Sequence, residues 1–153
     1  MEKYRILKEL VKFNTIKNKD NKNIVDYIEK ILNEKGFKTE FKDKNLIMSY
    51  GEKPTLGFLG HTDTVEYIEG WNTNPFTLTE KDNKLYGLGA CDMKGGLAAI
   101  IDAILDIDLT QIKNGIKLYF TYDEEILFSG IYDIIKQKEK FPNFMVFGEP
   151  TYI

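Results

Sequence analysis

Hydrophobic positions along this chain follow two different periods. Apolar residues three and four positions apart predict four amphipathic helices, at residues 4–13, 24–32, 97–105 and 131–140. Short apolar runs predict five strands of one sheet, at residues 37–41, 46–50, 55–59, 116–122 and 144–147. Helices that alternate with buried strands are typical of the α/β class, so we expect a three-layer α/β/α sandwich with a mostly parallel sheet.

Polar and turn-forming residues mark the connections between these elements. Gly36 predicts the end of the second helix. A turn at residues 81–84, between short apolar stretches at 76–79 and 85–86, predicts a small hairpin. The link at residues 14–23 is rich in Asn and Lys and predicts an exposed loop. A chain of 153 residues suffices for one domain with a core, and we find no repeat or linker in it.

The composition narrows the class of protein. Hydrophobic residues make up 42% and charged residues 29% of the chain, the balance of a soluble folded protein. The apolar stretch at 97–105 is interrupted by Asp102 and is far shorter than the ~20 residues of a membrane span. The charged start does not resemble a secretory signal, so we expect a cytoplasmic protein without a membrane partner. A net charge of −3 without a basic patch argues against nucleic acid, and a single cysteine, Cys91, excludes an internal disulfide.

One imidazole and five carboxylates follow the predicted strands or open the third helix: His61, Asp63, Asp92, Glu124, Glu125 and Glu149. Ligands of α/β sheets collect at the carboxyl ends of the strands, so we expect these side chains to share one rim. So many negative charges in one cleft are unfavourable without cations, which predicts a divalent metal site. The neighbours Glu124 and Glu125 both reach the rim only if the backbone turns at the strand end.

Simpler interpretations exist for each residue taken alone. A single histidine near a strand end is more often structural than a ligand, and Glu124 with Glu125 resembles an ordinary solvated pair. Glu149 before a proline can merely end a strand. Cys91 lacks a setting that stabilises a thiolate, so we expect it to be small apolar filler rather than a nucleophile. Two glycines at 95–96 predict close packing of a helix on the sheet.

Four blocks in series carry a specific resemblance. They read GHTDTV at 60–65, NPF at 74–76 with KLYGLGACDMKGG at 84–96, DEE at 123–125 and GEPT at 148–151. In order and spacing they resemble the zinc-dependent amidohydrolase and metallopeptidase family of acetylornithine deacetylase, succinyl-diaminopimelate desuccinylase and carboxypeptidase. Taken together, the blocks span essentially the whole chain.

The resemblance implies a role for each rim residue. His61 and Glu149 match ligands of one Zn²⁺, Asp92 matches the carboxylate that bridges two, and Glu125 matches a ligand of the second. Glu124 matches the general base, and Asp63 matches the acid that orients His61. Co²⁺ or Mn²⁺ are possible substitutes for zinc. The family also often has a cis peptide bond just after the bridging acid, which falls here between residues 92 and 93.

The chain lacks two histidines that the family pattern includes. The family takes a further histidine ligand, and a histidine for the oxyanion, from downstream segments, whereas this chain has one histidine. We therefore expect residues 1–153 to be the amino-terminal part of the catalytic domain, without the dimerisation (lid) domain or the carboxy-terminal part. Alone, it should bind metal, hydrolyse poorly and self-associate through exposed sheet surface.

Three hypotheses on function follow. The first is hydrolysis of the amide bond of an N-acyl amino acid, most like acetylornithine deacetylase and hence arginine biosynthesis, with desuccinylase and dipeptidase activities as alternatives. The second is a non-catalytic metal-binding fragment that needs a partner chain. The third is an α/β domain whose acidic rim is incidental.

Overall fold

The computed structural model describes residues 3–16 and 20–151. Its helices are α1 (Arg5–Lys12), α2 (Lys22–Glu34), α3 (Lys94–Asp106) and α4 (Ser129–Lys136). Its strands are β1 (Lys38–Lys42), β2 (Leu46–Tyr50), β3 (Leu56–His61), β4 (Thr79–Lys81), β5 (Lys84–Tyr86), β6 (Ile116–Thr121) and β7 (Phe144–Phe147). Within these ranges no helix has the length and apolar character to cross a membrane.

Five strands form the main sheet, in the order β1-β2-β6-β3-β7. β3 lies parallel to both β6 and β7, whereas β2 runs antiparallel to both β1 and β6. Only the short connection at residues 43–45 joins β1 to β2, and so short a link permits only an antiparallel pair. The predicted α/β class is confirmed, with a mixed sheet in which β2 alone opposes the other four strands.

Two hydrophobic cores lie on opposite faces of this sheet. One packs α1, α2 and α3 against alternate residues of β2 and β6, namely Leu46, Met48, Ile116, Leu118 and Phe120. The other packs Ile134 of α4 against Ile47, Leu59 and Tyr119. Alternate strand residues thus face different helix layers, which confirms the predicted three-layer arrangement.

Two predicted element bounds are wrong for local reasons. The first hairpin strand lies at Thr79–Lys81 rather than 76–79, because Asp82 and Asn83 both have positive φ (51° and 57°). Such a two-residue turn pairs its immediate flanks, Lys81 and Lys84. The fourth helix begins at residue 129 and ends at 136, after which Lys138 takes a left-handed φ of 58°. In contrast, Gly36 ends α2 as predicted, with φ 104°.

The link between α1 and α2 corrects a second prediction. Among its described residues, Thr15, Ile16 and Asn21 are buried rather than exposed. Ile16 forms a parallel bridge with Thr64, just beyond β3. The Asn and Lys content signalled exposure, but this segment packs against the end of a central strand.

β7 forms one edge of the sheet in the described part of the chain. Phe144, Val146 and Phe147 on this strand are 71%, 45% and 58% exposed. Large apolar side chains on an open strand edge are a ready surface for association.

Candidate metal centre

The parallel strands β3, β6 and β7 end at one edge of the sheet, and the predicted rim residues meet there. His61 is the last residue of β3, while Glu124 and Glu149 follow β6 and β7. Asp92 lies just before α3. The structure therefore brings together side chains from four separate parts of the chain.

The imidazole of His61 lies at the middle of this cluster, and its side chain has no exposed surface. Its Nε2 atom lies 3.1 Å from Asp92 Oδ1, 3.7 Å from Glu124 Oε2 and 3.8 Å from Glu149 Oε1. One ring nitrogen thus faces three carboxylates. The candidate set predicted from the sequence is spatially compact at this point.

Asp63 contacts the other ring nitrogen of His61. The nearer acceptor to Nδ1 is the backbone carbonyl of Asp63, at 3.0 Å, while carboxylate Oδ1 lies at 3.5 Å. The expectation that the Asp63 carboxylate alone holds the ring is therefore incomplete. That carboxylate also accepts the backbone N–H groups of Glu124 and Glu125, at 3.3 and 3.2 Å. Asp63 thus ties the β3 loop to the β6 loop.

The turn predicted after β6 is present. Asp123 has φ 57°, and its carbonyl accepts the N–H groups of Leu127 and Phe128. This reversal lets two consecutive residues, Glu124 and Glu125, both approach His61.

One glycine contact places α3 against the end of β7. A Cβ on Gly96 would lie 2.0 Å from the carbonyl oxygen of Gly148, so α3 approaches the residue before Glu149 directly. The predicted packing against the sheet is thus found for Gly96, whereas a Cβ on Gly95 would lie 2.4 Å from the carbonyl oxygen of Ala90, in the loop before α3. The cis peptide bond suggested by the resemblance is also present, between Asp92 and Met93.

Three features of the site were not predicted. Met93 is buried, and its sulfur accepts the backbone N–H of His61 at 3.2 Å. The α1–α2 link contacts the residues beside Asp63, and only its distance in sequence hid this contact. Cys91 is exposed, so the expectation that it serves as small apolar filler is wrong, since the loop before α3 leaves it outside the core.

The electrostatics of the cluster favour positive charge. Burial alone lowers the pKa of His61, but its hydrogen bond and charge interaction with Asp63, and then the charges of Glu149 and Glu124, raise it to about 9. Burial and the negative charge of Asp92 raise the pKa of both Glu125 and Glu149. The carboxylates therefore hold a proton on the imidazole when no other cation is present.

The donor set fits divalent metal. Two groups of three side chains each place ligand atoms within 4.8 Å of one another: His61 with Asp92 and Glu149, and His61 with Glu124 and Glu125. One imidazole nitrogen with carboxylate oxygens suits Zn²⁺, Co²⁺ or Mn²⁺. Because both groups share His61, whose Nδ1 bonds to Asp63, its free nitrogen can serve only one ion at a time.

Comparison with known proteins gives both sequence and structural matches. The family described as peptidase family M20/M25/M40 matches residues 57–152. Acetylornithine deacetylase of Pasteurella multocida (strain Pm70) is 40% identical over 143 residues, which cover 88% of this chain and 37% of that enzyme. This chain therefore spans well under half the length of that relative.

Solved structures share the fold. Human carnosine dipeptidase 1 matches with a TM-score of 0.75 and 25% identity, over 96% of this chain and 38% of its own. The M20 family metallo-carboxypeptidase Sso-CP2 of Sulfolobus solfataricus matches with a TM-score of 0.78 and 21% identity, over 97% of this chain and 37% of its own. These matches agree with the resemblance predicted from the four sequence blocks.

Proposed function

The chain belongs to peptidase family M20/M25/M40, and from this membership we propose that it is the metal-holding part of an amidohydrolase. The proposed reaction is hydrolysis of the amide bond of an N-acyl amino acid, with acetylornithine as the first substrate to test. The curated relative at 40% identity supports this choice. We further propose that residues 1–153 correspond to the amino-terminal part of the catalytic domain and act in the cytoplasm.

The proposed ligands divide into two sets. We assign one Zn²⁺ to His61, Asp92 and Glu149, whose ligand atoms lie within 4.8 Å of one another. A second ion would be held by Asp92 and Glu125. When bound, zinc would supply positive charge that polarises the amide carbonyl and makes a nearby water more acidic.

The remaining side chains orient groups and move protons. Glu124 is the proposed general base, which takes a proton from water at its carboxylate and later gives it to the leaving amine. Its backbone N–H bonds to Asp63, so the loop that carries this base is tied to the loop after His61. The carbonyl of Asp63 accepts from Nδ1 of His61 and leaves Nε2 facing the carboxylates.

One observation carries the proposal: Nε2 of His61 lies within 3.8 Å of carboxylates that arrive from three separate loops. The test is calorimetric titration of the metal-free chain with Zn²⁺, beside His61→Ala and Asp92→Ala variants. We expect tight binding by the parent chain and its loss in both variants. Equal binding by all three would favour the incidental acidic rim and refute the proposal.

A second candidate function is a non-catalytic metal-binding fragment completed by a partner chain. Two observations favour it: the chain holds one histidine, and the β7 edge exposes apolar side chains. Hydrolysis of acetylornithine, succinyl-diaminopimelate and a dipeptide should be measured with and without the downstream half of a longer relative. Turnover only in the mixture supports the fragment, whereas turnover by the chain alone refutes it. The substrate cleaved fastest separates deacetylase, desuccinylase and dipeptidase.

A further inference from the structure

Thr62, between His61 and Asp63, is fully buried, and all its polar groups are bonded. Its hydroxyl donates to the carbonyl of Thr121 at 3.0 Å and accepts from Nδ2 of Asn21 at 3.0 Å. Its backbone N–H donates to the same Thr121 carbonyl at 2.9 Å, and its own carbonyl accepts the hydroxyl of Thr15 at 2.7 Å. Thr62 is thus fixed to the last residue of β6 and to the α1–α2 link.

The link that holds Thr62 is itself anchored at two other points. The amide nitrogen of Asn21 also donates to the carbonyl of Lys44 at 2.9 Å, next to the start of β2. The N–H of Thr64 donates to the carbonyl of Thr15 at 2.9 Å. Asp63 therefore lies between two residues, Thr62 and Thr64, that the same segment holds in place.

The position of Asp63 matters because its backbone carbonyl lies 3.0 Å from Nδ1 of His61. A shift of the 62–64 backbone moves this acceptor and rotates the imidazole. It also moves the carboxylate that accepts from the N–H groups of Glu124 and Glu125. The hydroxyl of Thr62 is therefore one of the groups that fix the backbone on which the alignment of both loops depends.

We propose that Thr62 is a positioning residue whose hydroxyl, bridging Asn21 and Thr121, orients the His61–Asp63 pair and sets the metal affinity of the site. This inference rests on the proposed function, because it treats His61 as a ligand. Groups that orient a metal-bound histidine typically control affinity by 10–100-fold.

The chain offers a matched control two residues away. Thr64 is 1% exposed, and among the described residues its hydroxyl has no hydrogen-bond partner. Replacing Thr by Val deletes a buried hydroxyl at either position with almost no change of shape. Only at Thr62 does that hydroxyl join separate segments of the chain.

The experiment compares Thr62→Val, Thr62→Ser and Thr64→Val with the parent chain. Zinc affinity is measured by competition with a chelator, and urea unfolding is followed in parallel. We expect Thr62→Val to bind zinc about 10–100-fold more weakly, with Thr62→Ser and Thr64→Val close to the parent. An equal loss in Thr64→Val, or parent-like affinity in folded Thr62→Val, would overturn the inference.

A second readout needs no metal. The chain has one histidine, so both imidazole N–H signals of the 15N-labelled protein come from His61, and the proton followed is Nδ1–H, which faces the Asp63 carbonyl. We expect this proton to exchange with water slowly in the parent chain and much faster in Thr62→Val, with the parent rate restored by Thr62→Ser. Unchanged exchange in Thr62→Val contradicts the inference. If Thr62→Val does not fold, Asn21→Ala removes the other end of the bridge, and parent-like exchange and affinity in that variant count against it.

The two readouts separate the inference from the proposed function. A parent chain that binds no zinc refutes the proposed function, while the exchange measurement still tests the orienting role of Thr62. A parent chain that binds zinc, with no effect of Thr62→Val on either readout, refutes only the role of Thr62.

Discussion

Zinc binding by the metal-free chain should strengthen steeply with pH, because the metal must displace a proton from His61. The pKa of this imidazole is about 9 in the folded chain, since Asp63, Glu149 and Glu124 outweigh the effect of burial. Near neutral pH the ring is therefore almost entirely protonated. A ligand that must first lose a proton binds metal more weakly as pH falls.

The magnitude follows from the number of protons displaced. One displaced proton gives about a tenfold change in affinity per pH unit well below the pKa. The affinity should therefore rise about 50-fold between pH 7 and pH 9 and level off about 100-fold above its value at pH 7. Stability of the metal-free fold changes in the opposite sense. A pKa raised from 6.5 to about 9 contributes stability that is complete below pH 6.5 and is lost as pH rises through 9.

Calorimetry in buffers of different ionisation enthalpy measures both the affinity and the protons released. We expect about one proton per zinc at pH 7 from His61. Asp63→Asn removes the largest interaction that raises the pKa of His61. The pH above which zinc affinity stops rising should therefore move from about 9 toward 6.5. A zinc affinity that does not change with pH in the parent chain would refute this reasoning, as would a variant whose affinity levels off at the same pH as that of the parent.

Three further perturbations test other parts of the structure. Gly96→Ala places a Cβ 2.0 Å from the Gly148 carbonyl oxygen, so it should lower the free energy of urea unfolding by about 1–3 kcal/mol and weaken zinc binding. The control Ala99→Gly, on the exposed side of α3, should lower stability without weakening zinc binding. Burial lowers the pKa of Lys94 to about 8, so its charge destabilises the fold below pH 8. The free energy of unfolding should therefore rise between pH 8 and pH 10.5, and Lys94→Met should abolish this rise. Phe144→Lys should reduce any self-association seen by sedimentation velocity. The control is Ile68→Lys, because Ile68 is 77% exposed and lies away from β7; an equal effect of this variant would argue against association through the β7 edge.

Much of the fold could be predicted because burial imposes a period on the sequence. The stripe at Leu97, Ile101 and Ile104 in α3 is buried, and alternate residues of β6 face different cores. The shared rim could be predicted for a geometric reason. Strands that run in the same direction end at the same edge, and the residues that follow β6, β3 and β7 meet because these strands are neighbours.

The remaining features depend on contacts between residues far apart in sequence, which periodicity does not report. The burial of Thr15 and Asn21 follows from hydrogen bonds to Thr62, which lies more than 40 positions away. The link at 14–23 has the composition of a loop, and its described residues before α2 lie outside the helices and strands. Composition does not tell which loops bond to the core, and in this protein that loop supports the site.

The same geometry explains how this cluster of carboxylates is tolerated without metal. Carboxylates in one cluster repel one another, and the pKa values of Glu125 and Glu149 are raised first by burial and then by the negative charges of Asp92 and Glu124. His61, in the middle, carries a proton that offsets part of it, with Nε2 only 3.1 Å from Asp92. A divalent ion held by these residues would replace this proton with a larger charge. The free energy of folding and metal binding therefore depend on the same carboxylates. Removing the carboxylate of Asp63 should lower the pKa of His61, which weakens the metal-free fold and reduces the competition between proton and metal for the ring.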